Sequence, residues 1–269
     1  MHRTDRRSSI YSRVLRHVLQ NRLASPSDRV LVVCGGRRDR DELQQAGFTD
    51  VTISNVDTTM DASIRPYSWD RQDAESLTYE NDSFDIAIVY DGLHHCYSPH
   101  RALLEMFRVA RRAVIAFEAR DSFALNVAKR LRFAEDYEVE AVSYDFTTGG
   151  AGNGPIPNHI YRWTEREVMK TIASCDPTHE PQIRFFYGLR LPYQRFASTQ
   201  RPILRSILSI IGPLIELVGK AFPTQGNEFA FVISKGTRLH PWLAFQEGVV
   251  RLSEVATQRM GRVYRRGRR

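Results

Sequence analysis

The residues best suited to chemistry lie between positions 57 and 95, where carboxylates and histidines follow one another closely. An acidic turn, Asp73-Ala74-Glu75, precedes Ser83-Phe84-Asp85, which opens an apolar run, and Leu93-His94-His95 follows that run. Carboxylates accept hydrogen bonds from the hydroxyl and amino groups of a ligand, and an imidazole can take up a proton near neutral pH. This order predicts a ligand site with a base beside it.

Alternating strand and helix signals predict the elements that position these groups. The segment 29–34 is short, apolar and β-branched, as buried parallel strands are. Similar segments recur with helical periodicity between them, so we predict an α/β fold with a doubly wound, mostly parallel sheet. The predicted strands are 29–34, 51–56, 84–90 and 113–118, and the predicted helices are 10–23, 39–47, 99–110 and 121–134. Ligands of such sheets bind outside the carboxyl ends of the strands.

The chain divides into an N-terminal helix at 1–24, a main domain at 25–235 and a basic C-terminal tail at 236–269. Within the main domain, Thr147 to Pro157 is rich in Gly, Asn and Pro, which predicts an irregular loop. A helical insertion is predicted at 192–226, near the C-terminus, because the connection there is longer than ordinary ones.

Two apolar segments near 182–190 and at 229–233 predict strands on either side of that insertion. They follow a helix whose start is marked by a capping box, Thr164 with Glu167 three residues on.

The insertion contains an amphipathic stretch, 203–222, with one narrow polar stripe at helical spacing. Its charges and the central Gly212-Pro213 argue against a helix that spans a bilayer. Two interpretations stay open: a helical pair buried on the domain or at a dimer contact, and a lid lying in a membrane interface. Arg190, Arg195 and Arg201 would suit anionic headgroups in the second case.

Composition limits the classes of protein to be considered. The net charge is +7, and arginines are concentrated at both ends of the chain. Such ends could contact nucleic acid or anionic lipid, or they could be solvated tails. The three widely spaced cysteines form no metal-binding pattern, so we predict no metal site and a reduced, cytoplasmic setting, with peripheral membrane contact through 203–222 as the alternative.

The order of acidic turn, Phe84-Asp85 strand and Leu93-His94-His95 loop resembles the cofactor-binding half of the class I S-adenosylmethionine-dependent methyltransferases, in particular the type 11-like domain. The resemblance implies a seven-stranded, Rossmann-like sheet closed by an antiparallel hairpin. It also implies that Asp73 accepts a hydrogen bond from the adenine amino group, with Ala74 and Glu75 lining the ring. Tyr90 and Asp91 would flank the methionine end of the cofactor, whereas Asp85 is expected to be structural.

The first glycine loop departs from that family's pattern, which reads acidic-apolar-Gly-x-Gly-x-Gly. Here the matching residues are Val32-Val33-Cys34-Gly35-Gly36-Arg37-Arg38, so only the middle glycine is kept, and Gly35 adds a second flexible position. Cys34, Gly35 and Gly36 are nevertheless predicted to contact the cofactor. Asp57 lies 57 − 36 = 21 residues beyond Gly36, near the usual place of a ribose-binding carboxylate. The alternative for Asp57 is a cap for the segment that begins at Thr58.

Methyl transfer from a sulfonium is an in-line displacement, in which positioning supplies most of the acceleration. A hydroxyl acceptor would also need a base, and His94, His95 and His159 are the candidates, with His95 and His159 preferred. His159 lies in the segment 119–162, which we interpret as a substrate-side insert because this family carries such inserts there.

The predicted function is S-adenosylmethionine-dependent O- or N-methylation of a small-molecule, glycan or lipid-linked acceptor. A non-catalytic, methyltransferase-like interaction protein is the main alternative, because the altered glycine loop would fail to bind cofactor and Arg37 and Arg38 would occupy the groove. An RNA methyltransferase is less favoured, since the sequence contains no recognisable RNA-binding module. A nicotinamide-dependent oxidoreductase would need the GxGxxG phosphate cradle, which this loop does not have.

Overall fold

Seven strands form one twisted sheet in a computed structural model that describes residues 9–143, 145–191, 202–236 and 238–266. Their order is β3-β2-β1-β4-β5-β7-β6, with β7 antiparallel to both of its neighbours and the other pairs parallel. The strands are β1 (Arg29–Val33), β2 (Asp50–Asn55), β3 (Ser68–Arg71), β4 (Phe84–Tyr90), β5 (Ala110–Ala119), β6 (Gln182–Gly188) and β7 (Glu228–Ser234). A separate hairpin pairs β8 (Leu243–Gln246) with β9 (Val249–Leu252). The predicted fold class is confirmed.

Helices cover both faces of the sheet, which explains why the middle parts of its central strands are buried and apolar. They are α1 (Ile10–Gln20), α2 (Arg37–Ala46), α3 (Pro99–Val109), α4 (Phe123–Arg130), α5 (Val139–Val142), α6 (Glu165–Cys175), α7 (Pro202–Ala221) and α8 (Glu254–Arg266). One core cluster joins α1 and α2 to the sheet through Tyr11, Leu15 and Leu43, while the other joins α3 and α6 through Met106 and Ile172. A parallel sheet is stable in this arrangement because neither of its faces meets water.

The chain reverses its direction of travel across the sheet between β1 and β4, which are adjacent although β2 and β3 separate them in sequence. This switch point leaves a crevice at the carboxyl ends of the strands, where ligands of open α/β sheets bind. Asp85 lies at the opposite edge, accepting a hydrogen bond from the Arg29 amide and pairing with Arg111. Its place there is the structural one expected.

Most elements agree with the sequence prediction to within a few residues, and the capping box of α6 is present. β3 and the β8–β9 hairpin are additional; the hairpin and α8 lie within the segment 236–269. α7 is one helix with Pro213 inside it, and Leu214 and Leu217 on it are exposed. No helix in the described part of the chain is both long and apolar enough to cross a membrane. Arg195 and Arg201 lie outside the described residues.

Candidate functional site

The loop after β1 brings its backbone to the switch point. Cys34, in the position of the family's first glycine, has a φ of 53°, the left-handed conformation that glycine adopts most easily. A Cβ built on Gly35 would lie 2.6 Å from Val32 Cγ1 and 2.8 Å from Ile53 Cγ2, whereas one on Gly36 would meet nothing within 4 Å. Gly35 is therefore needed for packing, and Gly36 borders open space at the strand ends.

A buried carboxylate fixes the start of α2 behind this loop. Asp39 accepts hydrogen bonds from the Gly36 amide (2.9 Å) and the Tyr11 hydroxyl (3.0 Å). Burial raises the pKa of Asp39 to about 6, although both hydrogen bonds oppose the shift. The loop is thus held from α1 as well as from α2.

The end of β2 contributes two polar side chains. Asn55, the last residue of the strand, donates its amide to the Gly35 carbonyl (3.0 Å) and so joins β2 to the glycine loop. Asp57 lies two residues further on, where its Oδ1 accepts from the Thr59 amide (2.9 Å) and hydroxyl (2.7 Å). The capping role considered for Asp57 is therefore present, and no hydrogen bond to its Oδ2 occurs among the described residues.

The acidic turn supports the rim of the crevice. Asp73 is exposed and accepts the Glu75 amide, and Ala74 is buried. Glu75 accepts the backbone amides of Tyr97 (2.8 Å) and Ser98 (3.0 Å), at the start of α3. Glu75 thus ties the acidic turn to the loop after β4.

Tyr90 and Asp91, at the end of β4, face different surroundings. Tyr90 packs against Tyr11 on the α1 side of the sheet, and the Arg38 guanidinium lies 3.9 Å above its ring centre. Asp91 has an exposed side chain at the rim of the crevice. Desolvation by the surrounding protein, followed by repulsion from the Glu118 charge, raises the pKa of Asp91 to about 6. Arg38 and Asp91 therefore place opposite charges at the mouth of the crevice.

A second group of polar side chains lies beside this crevice, in what we call the histidine cluster: His94, His95, Glu118, Glu138 and Asn158. The innermost member of the cluster is Glu118, which is buried at the end of β5. Its Oε1 accepts hydrogen bonds from the backbone amides of Gly92 (3.0 Å) and Leu93 (2.8 Å). Its Oε2 lies 2.9 Å from His94 Nδ1. The loop after β4 is thus fixed by one carboxylate in three places.

The segment 119–162 contains the remaining two members of the histidine cluster, Glu138 and Asn158. Its two ends meet at β5, where the Trp163 amide donates to the Ala119 carbonyl (2.9 Å). Its two arms pair near their middle through the Glu138 amide and the Asn158 carbonyl (3.0 Å). This pairing brings Glu138 Oε2 to 3.4 Å from both His94 Nε2 and His95 Nε2.

Asn158 and His159 point in different directions, as neighbours in an extended segment do. Asn158 is buried and donates its amide to the His94 carbonyl (3.2 Å) and to Glu138 (3.3 Å). His159 is exposed and lies edge-on to Tyr137, with 5.3 Å between ring centres. The contacts described for His159 do not include the other two histidines.

The two imidazoles of the cluster differ in pKa, because the carboxylates favour the protonated form of His94 more than that of His95. Burial opposes the charged form of His94, but Glu118 and Glu138 outweigh it and raise the pKa of His94 to about 10. The hydrogen bond with His94 lowers the pKa of Glu138 to about 2. Burial and the neighbouring His94 charge lower the pKa of His95, whose side chain is 30% exposed. His95 is therefore the neutral imidazole that a solute can reach.

The sequence prediction located the histidines and the end of β5 but missed Glu138 and Asn158. Both lie in the irregular segment, more than 40 residues after His94 and His95, and neither belongs to a recognisable motif. Asn55 was also missed, because a strand-terminal asparagine carries no signal of its own.

Comparison with known proteins identifies the central part of this fold. Residues 31–117 match the family model described as a methyltransferase domain. That span begins in β1 and ends in β5, so it contains the glycine loop, the acidic turn and both histidines. No curated protein matches the sequence. The predicted resemblance to class I S-adenosylmethionine-dependent methyltransferases is confirmed for this region.

Solved structures share the fold over most of the chain. Magnesium protoporphyrin IX methyltransferase from Synechocystis PCC 6803, solved with bound SAH, has a TM-score of 0.51 at 14% identity, covering 85% of this chain and 83% of its own. The YcgJ protein of Bacillus subtilis has a TM-score of 0.52 at 14% identity, covering 84% and 98%. The [4+2]-cyclase SpnF has a TM-score of 0.52 at 15% identity, covering 87% and 86%. At these identities the likeness shows the fold alone. The third of these proteins is named for a cyclisation and not for methyl transfer, so the shared fold does not by itself specify the reaction.

Proposed function

We propose that this chain is an S-adenosylmethionine-dependent methyltransferase that binds its cofactor at the carboxyl ends of β1 and β2. The observation that carries the proposal is that the glycine loop, the acidic turn and the histidine cluster meet at the switch point of a sheet whose central region matches a methyltransferase domain. S-adenosylmethionine would supply an electrophilic methyl group on a sulfonium centre.

The loop after β1 fits such a cofactor in spite of its unusual sequence. Cys34 keeps the left-handed backbone, and the open space at Gly36 allows a ligand to approach the main chain closely. We assign Cys34, Gly35 and Gly36 to the backbone contacts and Asp57, through its Oδ2, to the ribose hydroxyls. Asp73 and Ala74 would border the adenine.

The remaining assignments concern the rim and the methionine end. Asp91 would face the methionine ammonium group, a role that suits an accessible carboxylate. Glu75 and Tyr90 would act by position, since Glu75 holds the Tyr97 amide and Tyr90 packs against α1.

His95 is the group we assign to the acceptor. Its ring is accessible and faces the Glu138 carboxylate, which can stabilise the imidazolium formed when His95 takes a proton from an acceptor hydroxyl or amine. The bound cofactor would supply the methyl group to the acceptor oxygen or nitrogen and would leave as S-adenosylhomocysteine, which keeps the electron pair of the broken carbon–sulfur bond. His159 is retained as a candidate for contact with a more distant part of the acceptor, because it lies on the exposed side of the same insert.

The insert also favours an acceptor with an apolar part. Large apolar side chains that are at least half exposed lie on the insert or just after His95: Tyr97, Phe123, Leu131, Tyr137, Phe146 and Ile156. Clustered exposed apolar surface commonly marks a binding site. A small apolar molecule or a lipid-linked acceptor therefore fits this rim better than a bare glycan.

Calorimetric titration with S-adenosylmethionine and S-adenosylhomocysteine tests the proposal. We expect micromolar binding by the wild type and a loss of at least about tenfold in Asp57→Ala, since a paired ribose hydrogen bond is worth about 1–3 kcal/mol. Asp41→Ala is the matched control, because Asp41 is exposed and pairs only with its neighbour Arg40 in the described structure. Absence of binding by the wild type would overturn the proposal.

Liposome flotation separates the two acceptor classes. If the acceptor is lipid-linked, we expect the full chain to float with anionic vesicles and the variant Leu214→Ser/Leu217→Ser to float less, because both leucines are exposed on α7. If neither protein floats, the hypothesis of a lipid-linked acceptor is excluded and a small-molecule acceptor remains.

A non-catalytic interaction protein is the second candidate, and two contacts favour it. The Arg38 guanidinium covers Tyr90 beside the crevice, and Asp57 already uses one carboxylate oxygen on Thr59. Under this alternative, Arg38→Ala would not create S-adenosylhomocysteine binding, and the wild type would show none.

A further inference from the structure

We propose that His94, His95 and Glu138 form a binding site for a divalent transition-metal ion of the Zn²⁺ type. The two Nε2 atoms and a Glu138 carboxylate oxygen lie within 4.8 Å of one another, and both nitrogen-to-oxygen distances are 3.4 Å. A tetrahedral ion with bonds of about 2.0–2.1 Å holds its ligand atoms about 3.4 Å apart. Both nitrogen-to-oxygen distances match this spacing, and the separation between the two histidine nitrogens lies within the 4.8 Å that bounds the group.

The chemistry of the donors selects the class of ion. Two imidazoles and one carboxylate suit Zn²⁺ and its first-row neighbours once His94 has released its proton to solvent, whereas Mg²⁺ and Ca²⁺ prefer a shell of oxygen atoms. Three protein ligands also leave a fourth position for water or another ligand, as in catalytic rather than structural zinc sites. His95 and Glu138 are partly exposed, so this position is reachable from solvent.

A second layer of contacts orients each ligand, which distinguishes this group from a chance gathering of polar side chains. Glu118 holds His94 Nδ1 at 2.9 Å, which directs Nε2 of the same ring toward Glu138. The Gly150 backbone lies close enough to His95 to favour the charged form of its ring. Metal-binding histidines are commonly fixed in this way by a carboxylate or a carbonyl on the other ring nitrogen.

Asn158 adds an independent sign that the group lacks a ligand. Its side chain is 3% exposed, and its amide nitrogen donates to Glu138, yet its Oδ1 has no hydrogen-bond partner among the described residues. Buried amide oxygens are almost always paired, so this oxygen, on the residue that also contacts the ligand carboxylate, calls for a partner that the described residues do not supply. A depression lined by Glu135, Glu138 and Glu140 opens to the same carboxylate, giving cations an acidic path of approach.

This site goes beyond the proposed function, because binding the ion requires neither cofactor nor acceptor. It also changes what His95 does in the reaction. With an ion bound, His95 would be one of its ligands, and the ion rather than the imidazole would supply the Lewis acidity that lowers the pKa of an acceptor hydroxyl.

The test uses the full, tag-free chain after removal of metals with a chelator. We expect calorimetry to show one equivalent of Zn²⁺ bound, and Co²⁺ to give the intense visible bands of a four-coordinate site. His95→Ala and the isosteric Glu138→Gln should abolish stoichiometric uptake, and Glu118→Gln should weaken it about 10- to 100-fold. If His95→Ala fails to fold, Glu138→Gln still tests the proposal, because Glu138 is partly exposed and glutamine has nearly the same shape. Glu118→Gln provides a second such test.

Two controls exclude other ligands. His159→Ala should retain one equivalent, because His159 is exposed and faces Tyr137. Cys96→Ser should also retain it; the Cys96 thiol contacts Cys34 and offers the most obvious competing zinc ligands. The proposal is overturned if the wild type binds no stoichiometric ion, if Glu138→Gln binds as well as the wild type, or if Cys96→Ser alone loses the ion. Each of these outcomes would leave the proposed cofactor binding untouched.

Discussion

The two sides of the crevice are built differently. The side that we propose for the cofactor, after β1 and β2, relies on backbone: a left-handed Cys34, a close-packed Gly35 and an open Gly36. The side that we propose for the acceptor, after β4 and β5, relies on ionisable side chains linked through the carboxylates of Glu118 and Glu138. Backbone contacts tolerate changes of side chain so long as the conformation is kept. This explains how the glycine loop can depart from its family pattern while the fold is preserved.

The largest expected effect is on the acceptor side. Glu118→Ala leaves two buried backbone amides and the His94 imidazole without their acceptor. We expect the free energy of unfolding to fall by about 3–5 kcal/mol, as it does when one partner of a buried ion pair is removed. Denaturant unfolding measures this, with the exposed Glu80→Ala as a control expected to stay within about 0.5 kcal/mol of the wild type. A change of under about 1 kcal/mol in Glu118→Ala would show that the cluster does not hold the loop.

The cofactor side should show its own pH dependence through Asp39. Burial raises its pKa from 3.8 to about 6 in the folded chain, so its contribution to stability is present below pH 4 and is lost as the pH rises through 6. At about 1.4 kcal/mol per pKa unit, the loss is about 3 kcal/mol. In Asp39→Asn, the amide can still accept from Gly36 and donate to Tyr11, and this part of the pH dependence disappears.

Denaturant unfolding of both proteins between pH 4 and pH 7 checks the prediction for Asp39. The difference in unfolding free energy between Asp39→Asn and the wild type should grow with pH. Asp41→Asn, an exposed change in the same helix, should follow the wild type. A constant difference across this range would contradict a raised pKa at Asp39.

A pair of glycine substitutions tests whether backbone packing shapes the cofactor side. Gly35→Ala places a methyl group within 2.6 Å of Val32 Cγ1, and we expect it to cost about 1–3 kcal/mol as an overpacked core does. Gly36→Ala meets no atom within 4 Å and has an extended backbone, so its unfolding free energy should change by less than about 0.5 kcal/mol. Thermal unfolding of the two variants side by side gives the comparison, and equal effects would contradict it.

Apart from the control substitutions, the smallest expected effect comes from placing at position 34 the glycine of the family that the loop resembles. Cys34→Gly removes the strain of a left-handed backbone, which costs a non-glycine residue about 1–2 kcal/mol. Two effects oppose this gain: glycine raises the conformational entropy of the unfolded chain, and the packing of the Cys34 side chain is lost. We expect a net change in unfolding free energy below about 1 kcal/mol. A loss of several kcal/mol would mean that the Cys34 side chain, rather than its backbone, is what the loop requires.

The sequence predicted the elements that carry strong periodic signals. β1 and β4 contain uninterrupted apolar runs, at 30–33 and 86–89, and the start of α6 is marked by the capping box of Thr164 and Glu167. β3 was missed because Ser68–Arg71 is four residues long and only Trp69 among them is apolar, so its pairing with β2 rather than its own pattern makes it a strand. Glu138 was missed for a related reason: the pairing of two irregular arms carries it to the histidines, and no local spacing encodes that pairing.

The measurement that tests the central claim most directly is S-adenosylhomocysteine binding by the wild type, Gly35→Ala and His95→Ala under one set of conditions. If the cofactor side is formed by backbone and the histidine cluster serves the acceptor, the wild type binds in the micromolar range. Gly35→Ala should then bind at least about tenfold more weakly, a loss of about 1.4 kcal/mol, and His95→Ala should bind as the wild type does. No binding by the wild type, or an equal loss in both variants, would contradict the claim.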